Sequence, residues 1–265
     1  MTPIEARLRW LTDQGWIGLM THSVIGYPSL KATPGLVEAM ARGGADFVEL
    51  QIPFSDPVAD GPTIMRANQA ALDGGVRVRD CLTVMTRLSE RLEIPLLFMG
   101  YYNTIFNYGV EAFCRDARVA GAAGLIVPDI PLDEEPDEGF IAACNKHDLH
   151  HIRVISPAST EARLNANANV ANGFVYCVSR YGITGARTQL NPRLQAYLTQ
   201  VRSYFDLPLA VGFGISNRAH IEALRGHAEI AVVGSAIIDL IEAQAQAEAT
   251  GEWENVESWI QKLRP

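Results

Sequence analysis

The sequence is short of cysteine, of positive charge and of long apolar runs, and each shortage excludes a class of protein. No two of its four cysteines form a CxxC pair, so we expect buried thiols in a reducing cytosol and no metal or redox motif. The formal charge of −8 argues against a general nucleic-acid binder, which needs a basic face. No segment reaches the ~20 consecutive apolar residues of a membrane span. The first ten residues, MTPIEARLRW, contain no apolar run typical of a signal peptide, which favours a cytoplasmic protein.

Length and composition favour one globular unit. The chain has 265 residues, of which 48% are hydrophobic, so it can bury a large core. A (β/α)8 domain usually has about 250 residues, and no low-complexity linker divides this sequence. We therefore expect a single domain over residues 1–265.

Eight short apolar runs alternate with longer helical patterns, as is typical of buried parallel strands in βα units. The runs cover residues 17–24, 45–51, 94–100, 123–128, 150–156, 173–179, 207–213 and 228–234. Eight units at this length favour a closed (β/α)8 barrel, or TIM barrel, over a doubly wound open sheet. Extra helices are predicted in MTPIEARLRWLTDQG at the start and EWENVESWIQKLRP at the end.

Two carboxylates lie where such a barrel carries its active site, at the C-terminal ends of the strands. Glu49 is inside the second run, in FVELQ, and Asp60 is in the loop that follows, IPFSDPVADGP. A carboxylate inside an apolar strand is costly to bury without a use or a partner, and at the barrel mouth it suits proton transfer. The pattern leaves open a structural Glu49 that faces a helix and pairs with Lys or Arg.

Two glycine motifs late in the chain predict a phosphate site. GFGIS (212–216) follows the seventh run, and GSAI (234–237) follows the eighth. Many barrels bind phosphate with these two loops and a helix N-terminus, which glycine allows the ligand to approach closely. Simple turn geometry is the alternative explanation for both motifs.

A third motif, SRYGITGART (179–188), follows the sixth run. Two glycines flank Thr184 in a polar stretch, and we interpret this stretch as a lid that closes over substrate and excludes water. An ordinary surface loop remains the alternative.

Six motifs, taken together and in this order, resemble the tryptophan synthase alpha chain family. They are VELQIPFSDPVADGPTI, YYNTIFNYGVEAF, VPDIPLDE, SRYGITGA, GFGIS and GSAI, and the resemblance runs from about residue 17 to 245. It implies retro-aldol cleavage of indole-3-glycerol phosphate to indole and glyceraldehyde 3-phosphate, a step of tryptophan biosynthesis. It also implies that this chain uses no metal and no organic cofactor.

The resemblance assigns a role to each carboxylate. Glu49 matches the acid–base residue that protonates C3 of the indole and then helps remove the proton of the glycerol 3′-hydroxyl. Asp60 matches the residue that accepts a hydrogen bond from the indole N–H. Its negative charge would stabilise the protonated ring more than the neutral substrate, which is the differential binding that catalysis requires.

The remaining implied site residues bind the phosphate or the indole. Thr184 in the lid would help to orient Asp60, and Tyr176 matches a tyrosine near the catalytic glutamate. The implied phosphate donors are Gly185, Phe213, Gly214, Gly234 and Ser235. The implied indole slot contains Met99, Ile126 and Phe213, with Tyr101 nearby, although core packing is the alternative role for each of these four residues.

The resemblance also implies a partner. Members of this family dock on a beta chain that carries pyridoxal phosphate, in an α2β2 heterotetramer that channels indole between the two sites. The loop with Asp56 and Pro57 and the VPDIPLDE segment with Asp129 would contribute to the docking face. This chain itself is not expected to bind pyridoxal phosphate.

The sequence departs from the family pattern in the first two strand regions. Gln51 stands two residues after Glu49, where the family usually has glycine. THSVIGYPS, with His22 and Tyr27, replaces an apolar-aromatic stretch followed by a G-D-P turn. We expect His22 near the indole slot, where it either tunes substrate choice or proton transfer, or is a pocket variant without a chemical role.

Two other functions are compatible with the same residues. The chain could be a stand-alone lyase that releases free indole, which the three departures keep open. It could instead be a non-catalytic subunit that only activates a beta chain, although both carboxylates and the phosphate motifs argue against this. Turnover measured with and without a beta chain distinguishes all three functions.

Overall fold

The computed structural model describes residues 1–178, 191–212, 214–243 and 253–264, and it confirms the predicted (β/α)8 barrel. All neighbouring strands are parallel, and the last pairs with the first, so the sheet closes in chain order. The strands are β1 Gly18–Val24, β2 Phe47–Gln51, β3 Leu96–Met99, β4 Gly124–Ile126, β5 His150–Ile155, β6 Val175–Val178, β7 Leu209–Gly212 and β8 Ile230–Val233. Each lies within one of the eight predicted runs.

Helices surround the barrel and include the two extra helices predicted at the ends of the chain. The helices are α1 Pro3–Gln14, α2 Thr33–Arg42, α3 Pro62–Asp73, α4 Val78–Ser89, α5 Tyr102–Tyr108, α6 Val110–Val119, α7 Glu135–Glu138, α8 Phe140–Lys146, α9 Glu161–Ala168, α10 Pro192–Arg202, α11 Arg218–Ala223, α12 Ser235–Glu242 and α13 Glu254–Leu263, with a 3-10 turn at Leu132–Glu134. Within the described ranges, no helix combines the length and the apolar character needed to cross a membrane.

Strand side chains alternate between the barrel interior and the helix layer, as the pleat of a β-strand requires. On β2, Val48 and Leu50 pack in the outer cluster with the helices, whereas Phe47 packs in the inner cluster. Glu49 and Gln51 have the same parity as Phe47 and lie further toward the C-terminal end. The inward-facing residues of β2 therefore change from apolar at its N-terminal end to polar at its C-terminal end.

Helix α1 closes the N-terminal end of the barrel. Its residues Ile4, Leu8 and Leu11 belong to the inner cluster, together with Phe47 and Phe174. Burying a large aliphatic side chain of this kind stabilises the fold by about 1.5–3 kcal/mol. The apolar plug at this end leaves the opposite end of the barrel for a polar site.

Polar contacts hold α1 in this position. Thr2 and Glu5 form a capping box at its first turn, which satisfies backbone N–H groups that have no partner within the helix. The Arg7 Nε donates to the fully buried Asp46 at 3.1 Å, and Arg264 after α13 donates to the same carboxylate at 2.6 Å. The start of β2 is thereby tied to both ends of the chain.

The four cysteines, Cys81, Cys114, Cys144 and Cys177, are buried free thiols, as expected. Two of them come near each other, with 3.8 Å between the Sγ atoms of Cys114 and Cys144. This distance is far longer than the ~2.05 Å of a disulfide bond.

Candidate active site

A cavity of about 290 Å³ opens at the C-terminal mouth of the barrel, and both predicted carboxylates line it. Its polar side chains include those of His22, Glu49, Asp60, Tyr176 and Ser235. Its apolar side chains include those of Met99, Ile126, Val154, Val178, Ile215 and Val232. The cavity thus combines an apolar slot for a flat ring with groups that can transfer protons.

Glu49 faces this cavity and not the helix layer. Its side chain is held inside the barrel, where the residue is only 3% exposed. Its Oε1 accepts a hydrogen bond from the Tyr176 hydroxyl at 3.3 Å and lies 2.8 Å from the His22 Nδ1. Its Oε2 is buried and has no hydrogen-bond partner among the described residues. One carboxylate oxygen is therefore fixed by neighbours, and the other is available for a ligand.

His22 lies directly opposite Glu49, because the two residues pair in the register of β1 and β2. Burial lowers the pKa of His22, but the hydrogen bond to Glu49 and the carboxylate charge raise it by more, so its pKa lies above the ordinary value. The sequence pattern placed His22 near the pocket without indicating this contact. Strand parity could have indicated that both side chains point inward.

Tyr176 on β6 reaches Glu49 because the neighbouring strand has no side chain at Gly212. A Cβ at Gly212 would lie 2.7 Å from the Tyr176 hydroxyl oxygen, closer than real Cβ atoms approach. Burial raises the pKa of Tyr176 well above its ordinary value, so the hydroxyl stays protonated and donates a hydrogen bond to Glu49. Gly212 and Tyr176 therefore act together in positioning the carboxylate.

We expect the Gly212→Ala variant to displace Tyr176 and to lower kcat by about 10-fold to 100-fold, because small displacements of catalytic groups lower the rate strongly. Gly100→Ala, at the end of β3, is the matched control, because the nearest atom to its added Cβ is 3.7 Å away. The measurement is kcat, at saturating substrate, for the cleavage that the family resemblance implies. Equal losses in both variants would show that the Tyr176 contact is unimportant.

Asp60 is half-buried at the edge of the cavity. Burial raises its pKa above the ordinary value, and a hydrogen bond from Gln51 partly opposes this rise. That bond runs from the Gln51 Nε2 to the Asp60 Oδ2 at 2.6 Å, and the Asn68 Nδ2 on α3 lies 3.5 Å from the same oxygen. Gln51 therefore holds the carboxylate that the family resemblance assigns to the indole nitrogen. Sequence spacing alone did not indicate this contact.

Tyr101, which the resemblance places near the indole slot, packs beneath the loop that carries Asp60. Tyr101 is buried and is not among the cavity-lining residues; its ring stacks on Phe54 at 5.1 Å, and its hydroxyl accepts from the Ala59 N–H at 3.0 Å. It supports the loop that carries Asp60 and contacts Asp60 itself, and its place near the indole stays a prediction. Tyr27 packs on the outer cluster.

The far end of the cavity is formed by Gly214, Gly234 and Ser235. Helix α12 begins at Ser235 with Gly234 as its N-cap, and the first N–H groups of a helix have no partner within it. Gly214 has φ +64°, in the left-handed region that favours glycine. This end can accept an anion such as a phosphate. The expected partners Thr184, Gly185 and Phe213, and the predicted lid, lie outside the described residues.

The two segments expected to dock a partner border a second, larger groove of about 1190 Å³. Val58, which follows Asp56 and Pro57, is 83% exposed, and Asp129 belongs to the stretch 127–133 that lines this groove. Four residues line both the groove and the cavity: Ala59, Pro128, Val154 and Val178. The groove and the cavity therefore adjoin.

A closed (β/α)8 barrel whose mouth presents two carboxylates to one cavity belongs to the class of TIM-barrel enzymes with acid–base chemistry.

The family model described as "Tryptophan synthase alpha chain" matches residues 10–264. The tryptophan synthase alpha chain of Syntrophotalea carbinolica is 43% identical over 98% of this chain and 100% of its own length, and that of Desulfotalea psychrophila is 45% identical over 90% and 93%. The solved structure of tryptophan synthase subunit alpha from Legionella pneumophila superposes with a TM-score of 0.89 at 32% identity, covering 99% of this chain and 97% of that one. The chain belongs to the tryptophan synthase alpha chain family. It is a carbon–carbon lyase that cleaves indole-3-glycerol phosphate in tryptophan biosynthesis.

Proposed function

We propose that Glu49 is the proton carrier of this cleavage and that Asp60 stabilises the positive charge on the indole ring. One observation carries the proposal: both carboxylates face one cavity, and the Glu49 Oε2 is the oxygen that neither His22 nor Tyr176 contacts. This oxygen can reach a bound ring while Oε1 stays fixed. The apolar slot beside it suits a flat aromatic ligand.

The first step is transfer of a proton from Glu49 to C3 of the indole. This proton converts the ring to an indolenine with a positive charge near nitrogen and leaves Glu49 as a carboxylate. The ring then becomes an electron sink, so the reaction as written needs no cofactor from this chain. Buried hydrogen bonds from His22 and Tyr176 stabilise the new carboxylate.

The second step breaks the carbon–carbon bond. The Glu49 carboxylate takes the proton of the glycerol 3′-hydroxyl, and the oxygen forms the carbonyl of glyceraldehyde 3-phosphate. The electron pair of the broken bond returns to the ring and restores neutral indole. Glu49 ends the cycle protonated, so protons and electrons balance.

Asp60 acts on the intermediate through its charge. The hydrogen bond from Gln51 occupies Oδ2, and we assign Oδ1 to the indole N–H. A negative charge at this point stabilises the protonated ring more than neutral substrate, which lowers the barrier without tightening substrate binding equally.

The substrate phosphate would bind at the opposite end of the cavity, at Gly214, Gly234 and Ser235. The start of α12 supplies N–H donors and the positive end of a helix dipole, and the Ser235 hydroxyl adds a donor. Thr184, Gly185 and Phe213 join this set on the strength of the family resemblance. With the phosphate at this end, the indole would lie between Met99 and Ile126, next to the carboxylates.

We further propose that this chain works with a beta chain in an α2β2 heterotetramer, and that pyridoxal phosphate is bound by the beta chain alone. The support is the groove bordered by Val58 and Asp129, which adjoins the cavity from which indole must leave. A cytoplasmic location agrees with four buried thiols in their free form.

The test measures indole release by the purified chain alone and with its cognate beta chain, together with the mass of the mixture. We expect slow turnover alone, a faster rate with the beta chain, and a particle of two alpha and two beta chains. Fast turnover that the beta chain leaves unchanged would instead identify a stand-alone lyase. Acceleration of the beta chain without any indole release would identify an activating subunit only.

A further inference from the structure

Two of the three departures from the family pattern contact a catalytic carboxylate. Gln51 hydrogen bonds to Asp60, and His22 hydrogen bonds to Glu49. The second contact differs in kind, because imidazole can gain or lose a proton near neutral pH and an amide cannot. His22 therefore places a second proton-binding group beside the residue that has to give and take a proton.

The contact is fixed by the fold. His22 and Glu49 occupy paired positions on parallel neighbouring strands, and the two residues are 2% and 3% exposed. The 2.8 Å between His22 Nδ1 and Glu49 Oε1 is the length of a charge-assisted hydrogen bond. At this burial neither side chain can exchange its partner for bulk water.

Other groups near this pair favour the state in which the pair holds one proton. The carboxylate of Asp60 adds a negative charge from the β2 loop, Gln51 adds a polar contact, and the Tyr176 hydroxyl donates to Glu49 from β6. On the β8 side, Gly234 adjoins His22 and carries no titratable group. The net effect of these neighbours is a raised pKa of His22, despite its burial.

We propose that His22 is a positioning residue that shares one proton with Glu49, so that the pair, and not Glu49 alone, stores the proton delivered to indole C3. The proposal rests on the acid–base role proposed for Glu49. In the one-proton state, the proton lies either on His22, as imidazolium beside carboxylate, or on Glu49, as carboxylic acid beside neutral imidazole. The two forms interconvert when the imidazolium loses its Nε2 proton and Oε2 of Glu49 gains one, two atoms that have no hydrogen-bond partner among the described residues. The Nδ1–H stays on His22 and donates to Oε1 in both forms.

The reactive form is the second one. Neutral His22 keeps a hydrogen on Nδ1 and donates it to Oε1, while Oε2 carries the acidic proton. When this proton moves to C3, the Nδ1–H remains in place and stabilises the carboxylate. The 3′-hydroxyl proton then returns to the pair, which restores the one-proton state.

A pH dependence follows from this sharing. Activity should fall as pH rises and the pair loses its last proton, and this basic limb is set by both residues together. Activity should also fall at low pH, when Asp60 becomes protonated and loses its charge. A residue that only filled space would leave the basic limb unchanged when it was replaced.

The first experiment does not depend on activity. The titration of His22 is followed by NMR of protein with labelled histidine in the wild type and in Glu49→Gln, and His22→Asn identifies the His22 signal. We expect the pKa of His22 above its ordinary value in the wild type, and lower by about one unit or more in Glu49→Gln. An unchanged titration would overturn the proposal, whatever the role of Glu49 in catalysis.

The second experiment compares pH profiles of kcat. His22→Asn keeps an N–H donor near Oε1 but cannot store a proton, so its basic limb should shift to lower pH by about one unit or more. Tyr176→Phe is the matched control, because it removes the other hydrogen bond to Oε1 but leaves both proton-binding groups in place. Loss of a hydrogen bond to the carboxylate favours the protonated pair, so the basic limb of this variant should not move to lower pH. A wild-type profile for His22→Asn would overturn the proposal, whereas an active Glu49→Gln would instead overturn the proposed role of Glu49.

Discussion

Replacement of Glu49 by glutamine should lower kcat for indole-3-glycerol phosphate cleavage by about 10³-fold or more. The amide has nearly the size of the carboxyl group, but it can neither donate a proton to C3 nor accept one from the 3′-hydroxyl. Because both steps use the same side chain, the loss should exceed that of a residue used in one step. Indole release under saturating substrate measures the effect.

The same variant should keep its fold. An amide at Glu49 can still accept hydrogen bonds at the position of Oε1, so we expect a thermal unfolding midpoint close to that of the wild type. Glu90→Gln, at an exposed position after α4, is the control for removal of one negative charge. Retention of a tenth or more of the wild-type rate in Glu49→Gln would contradict the assignment.

The Asp60→Asn variant should lower kcat by about 10²-fold to 10³-fold, the usual loss on removing one group that stabilises transition-state charge. Asparagine can still accept a hydrogen bond from the indole N–H, so KM should change much less than kcat. The separation of the two constants by steady-state kinetics is therefore the informative measurement.

Asp73→Asn provides the matched control for Asp60, because Asp73 is an exposed aspartate at the end of α3. It removes the same charge from the protein without altering the cavity, and we expect wild-type kinetics. If Asp60→Asn raised KM and left kcat unchanged, Asp60 would be a substrate-binding residue and not a charge-stabilising one.

The fold was predictable because its main determinants are local. Each buried parallel strand is an uninterrupted apolar run, and the alternation of eight such runs with helices allows few architectures. The short helix α7 and the exact strand ends were not predicted. They depend on how loops pack over the finished barrel, which no local pattern encodes.

The candidate site was predictable only in part. Glu49 stood out because a carboxylate in an apolar strand is costly to bury without a partner or a function. Asp60 stood out because its loop is rich in residues that restrict the backbone. The contact of His22 with Glu49 did not stand out, because it depends on the stagger of β1 against β2 in the closed barrel. The contact of Gln51 with Asp60 did not either, because it depends on the path of the loop after β2. The contacts of Tyr101 with Phe54 and Ala59 were not predicted either, since they depend on the path of the loop after β2.

Cleavage carried out in deuterium oxide tests the central claim most directly. If Glu49 protonates C3 before the carbon–carbon bond breaks, every indole released carries one deuterium at C3, and an equal amount of glyceraldehyde 3-phosphate appears. Mass spectrometry and proton NMR of the products measure both quantities. Indole with only hydrogen at C3, or a purified chain that releases no indole, would contradict the account.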